Sequence, residues 1–96
     1  MNASLRDIAE SAARTGAEVL RAHASRVSGV RTKSGGADLV SAADVAAGVA
    51  VVRSIAGLVE GARFVVEEPE VFDLTGVTRG TLCDDEVWVV DPLDGT

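Results

Sequence analysis

The sequence is 96 residues long with a formal net charge of −6. It is therefore at most one domain, and too acidic for nucleic acid or an anionic membrane to be its main partner. Apolar residues make up 47% of the chain, which excludes a disordered polypeptide. One cysteine excludes an internal disulfide, and no segment has the apolar length of a signal peptide or membrane span, so we expect a cytoplasmic protein.

The first predicted element is a helix from Leu5 to His23, in which apolar residues recur at helical spacing. Ser4 and Asp7 precede and open it in the pattern of a capping box, with Asp in place of the usual Glu. The stretch that follows, RVSGVRTKSGGAD at residues 26–38, is rich in glycine. It predicts a short extended segment and a flexible turn.

A second helix is predicted from Ala42 to Val59, again with one apolar stripe. Ser41 and Asp44 repeat the cap pattern at its start, and Gly61 is a typical C-terminal signal.

Two short apolar runs then predict β-strands, Phe64–Val66 and Val87–Val90. Both are continuous and rich in β-branched residues, which favours strands covered on both faces. Residues 69–86 between them are polar and turn-rich, and predict a surface excursion or a small hairpin. Helix, extended segment, helix, strand and strand together predict a layered α/β fold.

Each predicted strand runs directly into a carboxylate, Glu67 in the first and Asp91 in the second. Ligands of open α/β sheets bind at the carboxyl ends of strands, so these two side chains and Asp94 are expected to converge there. Carboxylates brought together repel one another unless a cation lies between them, and Mg²⁺ prefers such oxygen ligands.

The last six residues, DPLDGT, extend this candidate site. Proline turns the chain after Asp91, which lets the Leu93 carbonyl and the Asp94 carboxylate face the same side. Gly95 and Thr96 are typical of a helix start whose free amides hold a phosphate. Metal-binding oxygens beside such amides indicate a site that hydrolyses phosphate esters.

Three segments resemble the start of inositol monophosphatase-like enzymes: KSGGADLVSAAD at 33–44, VEE at 66–68 and WVVDPLDGT at 88–96. That group includes histidinol-phosphate and bisphosphate-nucleotide phosphatases and, more distantly, fructose bisphosphatases. The DPLDGT element is highly specific, DLVSAAD moderately so, and paired glutamates alone are weak. The resemblance implies the layered α+β sandwich of that group, of which this chain would hold the N-terminal helices and first strands.

The resemblance also implies Mg²⁺-dependent hydrolysis of a phosphomonoester by metal-activated water. Glu67, Asp91 and the Leu93 carbonyl would bind one Mg²⁺, and Asp91 and Asp94 a second. The substrate implied is a small phosphorylated metabolite, an inositol or related sugar or polyol phosphate. Lithium inhibition and a homodimer would be expected of an intact enzyme, with no nucleic-acid or membrane partner.

The remaining roles implied by the resemblance concern the water and the phosphate. The amides of Gly95 and Thr96 would hold the phosphate, while Asp44 and the Thr96 hydroxyl would orient the water. Asp44, Glu67 and Thr96 would thus form the catalytic set. Lys33, the single lysine of the chain, would support the site electrostatically.

The sequence departs from the family pattern at two points. Val66 stands where the family usually has glycine before its two glutamates. A later aspartate of the second metal site, and the half of the domain that selects the substrate, would follow residue 96. We therefore expect a truncated enzyme with negligible activity of its own.

Ordinary structural roles are the alternatives for several of these residues. DPLDGT also fits a turn that closes a strand, Glu67 a strand-end carboxylate, and Asp44 the acidic start of a helix. Glu68 is assigned to solvent or to a supporting position. The acidic run at residues 84–86 is interpreted as a solvated turn.

Two other functions are weighed. Haloacid-dehalogenase-like phosphatases place an aspartate after a hydrophobic strand, and FDLTG at 72–76 loosely fits their motif, although no apolar strand precedes it. The other is a catalytically dead fragment or paralogue that retains only an interaction surface.

Overall fold

A computed structural model describes residues 4–29 and 35–91 of the chain, with the side chains of residues 4–23 and 42–91. The elements in chain order are α1 (Leu5–Gly29), α2 (Gly35–Ala56), β1 (Arg63–Val66), α3 (Pro69–Thr75), β2 (Thr78–Arg79) and β3 (Trp88–Val90). In these residues no helix combines the length and the apolar character that crossing a membrane requires. The fold is α/β, as predicted.

Helix α1 begins where the cap predicts. Ser4 Oγ accepts a hydrogen bond from the Asp7 amide at 3.1 Å, and the Ser4 carbonyl accepts one from the Ile8 amide at 3.0 Å. The helix continues to Gly29, past its predicted end at His23. The predicted extended segment is therefore wrong at residues 26–29, because a helix that has started extends at little cost per added residue.

Helix α2 begins at Gly35 and not at Ala42, so the predicted cap at Ser41 is wrong. The extended segment is accordingly also wrong at residues 35–38. Glycine costs roughly 1 kcal/mol relative to alanine inside a helix, which packing of the long helix against α1 outweighs. At its other end α2 stops at Ala56, so the predicted end at Val59 is also wrong. The chain then turns through Gly61, whose φ is +72°.

The three strands form a parallel sheet in the order β2-β1-β3. Both predicted strands are confirmed, but residues 69–86 do not form a hairpin. They contain α3, which starts with a proline and is capped by Gly76 in the left-handed region (φ +70°). The Gly76 amide donates to the Phe72 carbonyl at 2.8 Å. This short helix carries the chain from β1 to β2, since parallel neighbours need a crossover.

The core lies between the helices and one face of the sheet, and its buried residues come from every element except β2: Ile8, Ala12, Val52, Ile55, Phe64, Val66, Val71, Phe72 and Val90. The prediction that both faces of the strands are covered is wrong within the described part of the chain. Val90 is 7% exposed whereas its neighbour Val89 is 64% exposed. Alternate residues of a strand point to opposite faces, and helices cover one of them here.

Candidate functional site

Glu67 and Asp91 follow adjacent strand ends in the same register. Val66 of β1 pairs with Val90 of β3 in the parallel direction. The next residue on each strand is therefore the carboxylate, and neighbouring strands lie about 4.8 Å apart. Both side chains are exposed. Their predicted convergence at one edge of the sheet agrees with this register.

Asp44 lies inside α2, nine residues after its first residue, so the interpretation as a helix-start carboxylate is wrong. It is 7% exposed, and it is the buried charged residue of the described chain. Its Oδ1 has no hydrogen-bond partner among the described residues. A buried carboxylate is costly without a hydrogen-bond donor or a cation beside it.

Glu68 is the neighbour of Asp44, and the sequence alone does not predict this contact. A hydrogen bond with Asp44 raises the pKa of Glu68 from its usual 4.5 to about 7, and burial and the charges of Asp44 and Glu67 act in the same direction. Asp44 Oδ1 and Glu68 Oε2 are both buried and have no hydrogen-bond partner among the described residues. We call these two residues the carboxyl pair.

The position of Glu68 follows from α3. Glu68 precedes Pro69 as the N-terminal cap residue, with φ −84° and ψ 111°, but its side chain makes no capping hydrogen bond. Its neighbour is instead Asp44 on α2, which lines the same cavity and raises the pKa of Glu68. The available sequence signal was a glutamate before a proline, which indicates a helix start but not its tertiary neighbour.

A cavity of about 940 Å³ lies between α2 and α3, and both members of the carboxyl pair line it. Three further charged residues line it as well, namely Arg53 of α2 and Glu70 and Asp73 of α3. Arg53 Nη2 donates to the Leu74 carbonyl at 3.2 Å, which ties the two helices together.

Part of the sequence-predicted site lies outside the described residues, namely Lys33, Leu93, Asp94, Gly95 and Thr96. Within residues 4–29 and 35–91, no three His, Cys, Asp or Glu side chains are placed to hold a metal ion together. The described residues of the predicted metal site, Glu67 and Asp91, offer exposed carboxylate oxygens. This chemistry fits a hard cation such as Mg²⁺.

The structure also tests two other hypotheses from the sequence, one about FDLTG in α3 and one about the acidic run at residues 84–86. Asp73 of FDLTG lies on a helix and is exposed, so that segment provides no strand-end aspartate for a haloacid-dehalogenase-like site. Asp84 accepts from the Arg63 guanidinium at 3.1 Å and from the Thr81 amide at 2.7 Å. The run at 84–86 is thus a turn, with Asp85 and Glu86 exposed, as predicted.

The comparisons with known proteins agree with the motifs. The model of the inositol monophosphatase family matches residues 1–96, which is the whole chain. Searches of curated proteins and of solved structures found no match. A family match of this extent, over a chain with carboxylates at adjacent strand ends, leads to one conclusion. The chain belongs to the inositol monophosphatase family.

Proposed function

We propose that this chain forms the metal-binding and water-activating part of a Mg²⁺-dependent phosphomonoester hydrolase. The observation that carries the proposal is the register of β1 and β3, which brings Glu67 and Asp91 to adjacent strand ends. Membership of the inositol monophosphatase family supports a phosphatase-type hydrolase.

Glu67 and Asp91 would hold the metal, together with Leu93 and Asp94. A Mg²⁺ ion held by these residues would supply a lowered pKa for bound water and neutralisation of charge on the phosphate. The carboxyl pair would be the part of this chain that activates the water. Asp44 Oδ1, which lacks a donor among the described residues, would accept the proton of the attacking water.

Glu68 would assist by its contact with Asp44. A proton on Glu68 is shared with Asp44 near neutral pH, because its pKa is raised to about 7. In this proposal Glu68 would hold the proton of the pair, and Asp44 Oδ1 would face the water. This is the arrangement by which two adjacent carboxyl groups divide the roles of acid and base.

The substrate that we propose is an inositol phosphate or a related small polyol phosphate. The amides of Gly95 and Thr96 would hold its phosphate, with the Thr96 hydroxyl at the water and Lys33 as a supporting charge. We also propose a cytoplasmic location, in keeping with the single cysteine of the chain. The layered sandwich of the family and its homodimer belong to the same proposal.

Metal binding can be tested with Tb³⁺, whose luminescence is sensitised by a nearby indole. Trp88 is the one tryptophan of the chain and stands three residues before Asp91, about 10 Å along the strand. We expect Tb³⁺ emission that Mg²⁺ displaces. Asp91→Asn and Glu67→Gln should each weaken Tb³⁺ binding at least tenfold, whereas Asp85→Asn in the exposed turn should not.

The hydrolysis itself is tested on the chain extended through the C-terminal half of a family domain, with phosphate release as the measurement. Release should require Mg²⁺ and be lost in Asp91→Asn. Tb³⁺ binding that is unaffected by Asp91→Asn and Glu67→Gln would overturn the proposed metal site.

A further inference from the structure

One apolar face of α1 is left open to solvent over much of its length by the described part of the chain. Its residues recur every three or four positions and form one strip roughly 22 Å long. They are Leu5, Ala9, Ala13, Ala17 and Leu20, which we call the open face. Leu5 is 52% exposed, the next two are exposed, and the last two are half-buried. A continuous apolar strip of this kind is typical of a surface that contacts a partner.

A cavity of about 310 Å³ lies beside the open face, between α1 and β3. Ala9 and Ala13 line it from α1, and Val89 lines it from β3. All three residues are exposed, so a side chain from another molecule can reach the cavity. The alanines also allow a second helix to approach closely, since packed helix axes lie about 8–10 Å apart according to the size of the side chains between them. The open face therefore suits a helix that carries a larger apolar side chain.

A row of alternating charges borders the open face. The row consists of exposed residues four positions apart, namely Arg6, Glu10, Arg14 and Glu18. Each directly follows a residue of the open face and therefore stands about 100° further round the helix. None of the four forms an ion pair with another described residue. The charges read plus, minus, plus, minus, so the row is complementary to a reversed copy of itself.

We propose that the open face binds the open face of a second copy of the chain, with the two α1 helices antiparallel. A two-fold axis then places Glu10 of each copy against Arg14 of the other. Leu5 of each copy lies near Ala17 of the other and enters the cavity between α1 and β3. A second copy is the favoured occupant because the charges that border the face complement those of α1 itself. The contact requires neither metal nor phosphate, so it can fail without the proposed hydrolysis failing, and the reverse.

Charge reversal and sedimentation equilibrium test the antiparallel contact. Glu10→Arg and Arg14→Glu should each raise the Kd of the dimer at least tenfold, because each sets like charges opposite one another at two symmetric points. An equimolar mixture of the two variants should form a heterodimer with about the wild-type Kd, since opposite charges face each other again. The double variant Glu10→Arg/Arg14→Glu should also recover the dimer. An effect confined to one helix would not recover, because the double variant brings like charges four residues from Arg6 and Glu18.

Matched variants separate the open face from the rest of α1. Ala13→Gln places a bulky polar side chain in the middle of the face and should raise the Kd at least tenfold, with circular dichroism to verify folding. Ser11→Gln makes a similar change on the opposite side of the helix and should leave the Kd unchanged, as should Asp85→Arg in the exposed turn. A chain that stays monomeric at every concentration, or single charge variants that do not pair on mixing, would overturn the proposal. A dimer that folded Ala13→Gln does not weaken would overturn it as well.

Discussion

Asp44 of α2 and Glu68, the residue that caps α3, are neighbours, and hydrogen bonding between their carboxyl groups is the main cause of the raised pKa of Glu68. One partner is buried in a helix interior, and the other approaches from the start of a short helix. The pair joins two segments that are 24 positions apart in the sequence. A proton or a cation between the two carboxyl groups stabilises the carboxyl pair. Two ionised carboxyl groups with neither of these between them repel each other.

The first prediction concerns pH. The pKa of Glu68 is raised to about 7 in the folded chain from its usual 4.5, so between these values the folded state binds more protons than the unfolded state. Stability due to this group is therefore fully present below about pH 4.5 and is lost as pH rises through 7. Urea unfolding without added metal should show that the stability of wild type relative to Glu68→Gln declines from pH 5 to pH 7.5.

The control for this pH effect is Glu70→Gln, which removes an exposed carboxylate of α3. The difference between wild type and this variant should vary much less over the same pH range. A flat difference between wild type and Glu68→Gln would contradict a raised pKa for Glu68.

The second prediction is that Asp44→Asn stabilises the fold and removes activity. The amide keeps the shape, removes a buried charge, and provides a donor for the neighbouring Glu68. We expect the free energy of unfolding at pH 7.5 to rise by about 1 kcal/mol. Phosphate release by the extended, active protein should fall at least a hundredfold, a typical loss for a general base.

Asp44→Leu tests how much of the expected stabilisation comes from removing the charge and how much from the new hydrogen bond to Glu68. It also removes the charge, but it leaves the Glu68 carboxyl without its partner, so it should stabilise less than Asp44→Asn. Destabilisation by Asp44→Asn would show that the ionised side chain has a favourable partner that the carboxyl pair does not explain.

The third prediction concerns the crossing of α1 and α2. A Cβ added at Gly16 would lie 2.6 Å from Val51 Cγ2. In an exposed helix Gly→Ala stabilises by roughly 1 kcal/mol, but overpacking of this kind costs about 1–3 kcal/mol. Gly16→Ala should therefore destabilise the chain in thermal or urea unfolding.

A double-mutant cycle with Val51→Ala checks this explanation. The second substitution removes the methyl group that the new Cβ would meet, so Gly16→Ala should cost less in that background. The same cost in both backgrounds would show that the close approach to Val51 is not the cause.

Local signals in the sequence predicted local structure well. Ser4 caps α1 because its hydroxyl reaches an amide three residues away, which neighbouring residues decide alone. The strands and their terminal carboxylates were predictable for a similar reason, since short β-branched runs between turn signals have few alternatives. The parallel direction of β1 and β3 then places Glu67 beside Asp91.

The wrong predictions lie where tertiary contacts decide. The start of α2 at Gly35 depends on packing that outweighs the low helix propensity of glycine. Helix α3 has seven residues, too few for a periodic pattern to show. The contact of Glu68 with Asp44 depends on that helix, so sequence reasoning that missed α3 could not find it.

The last prediction tests which face of the sheet is covered. Val89 and Val90 are adjacent in β3, but they are 64% and 7% exposed. Val90→Thr places a hydroxyl in the core without a partner and should cost about 1–3 kcal/mol. Val89→Thr makes the same chemical change on the exposed face and should stay within about 0.5 kcal/mol. Urea unfolding of both variants gives the comparison. A cost for Val89→Thr as large as that for Val90→Thr would mean that another part of the protein, or a second copy of it, covers this face in solution.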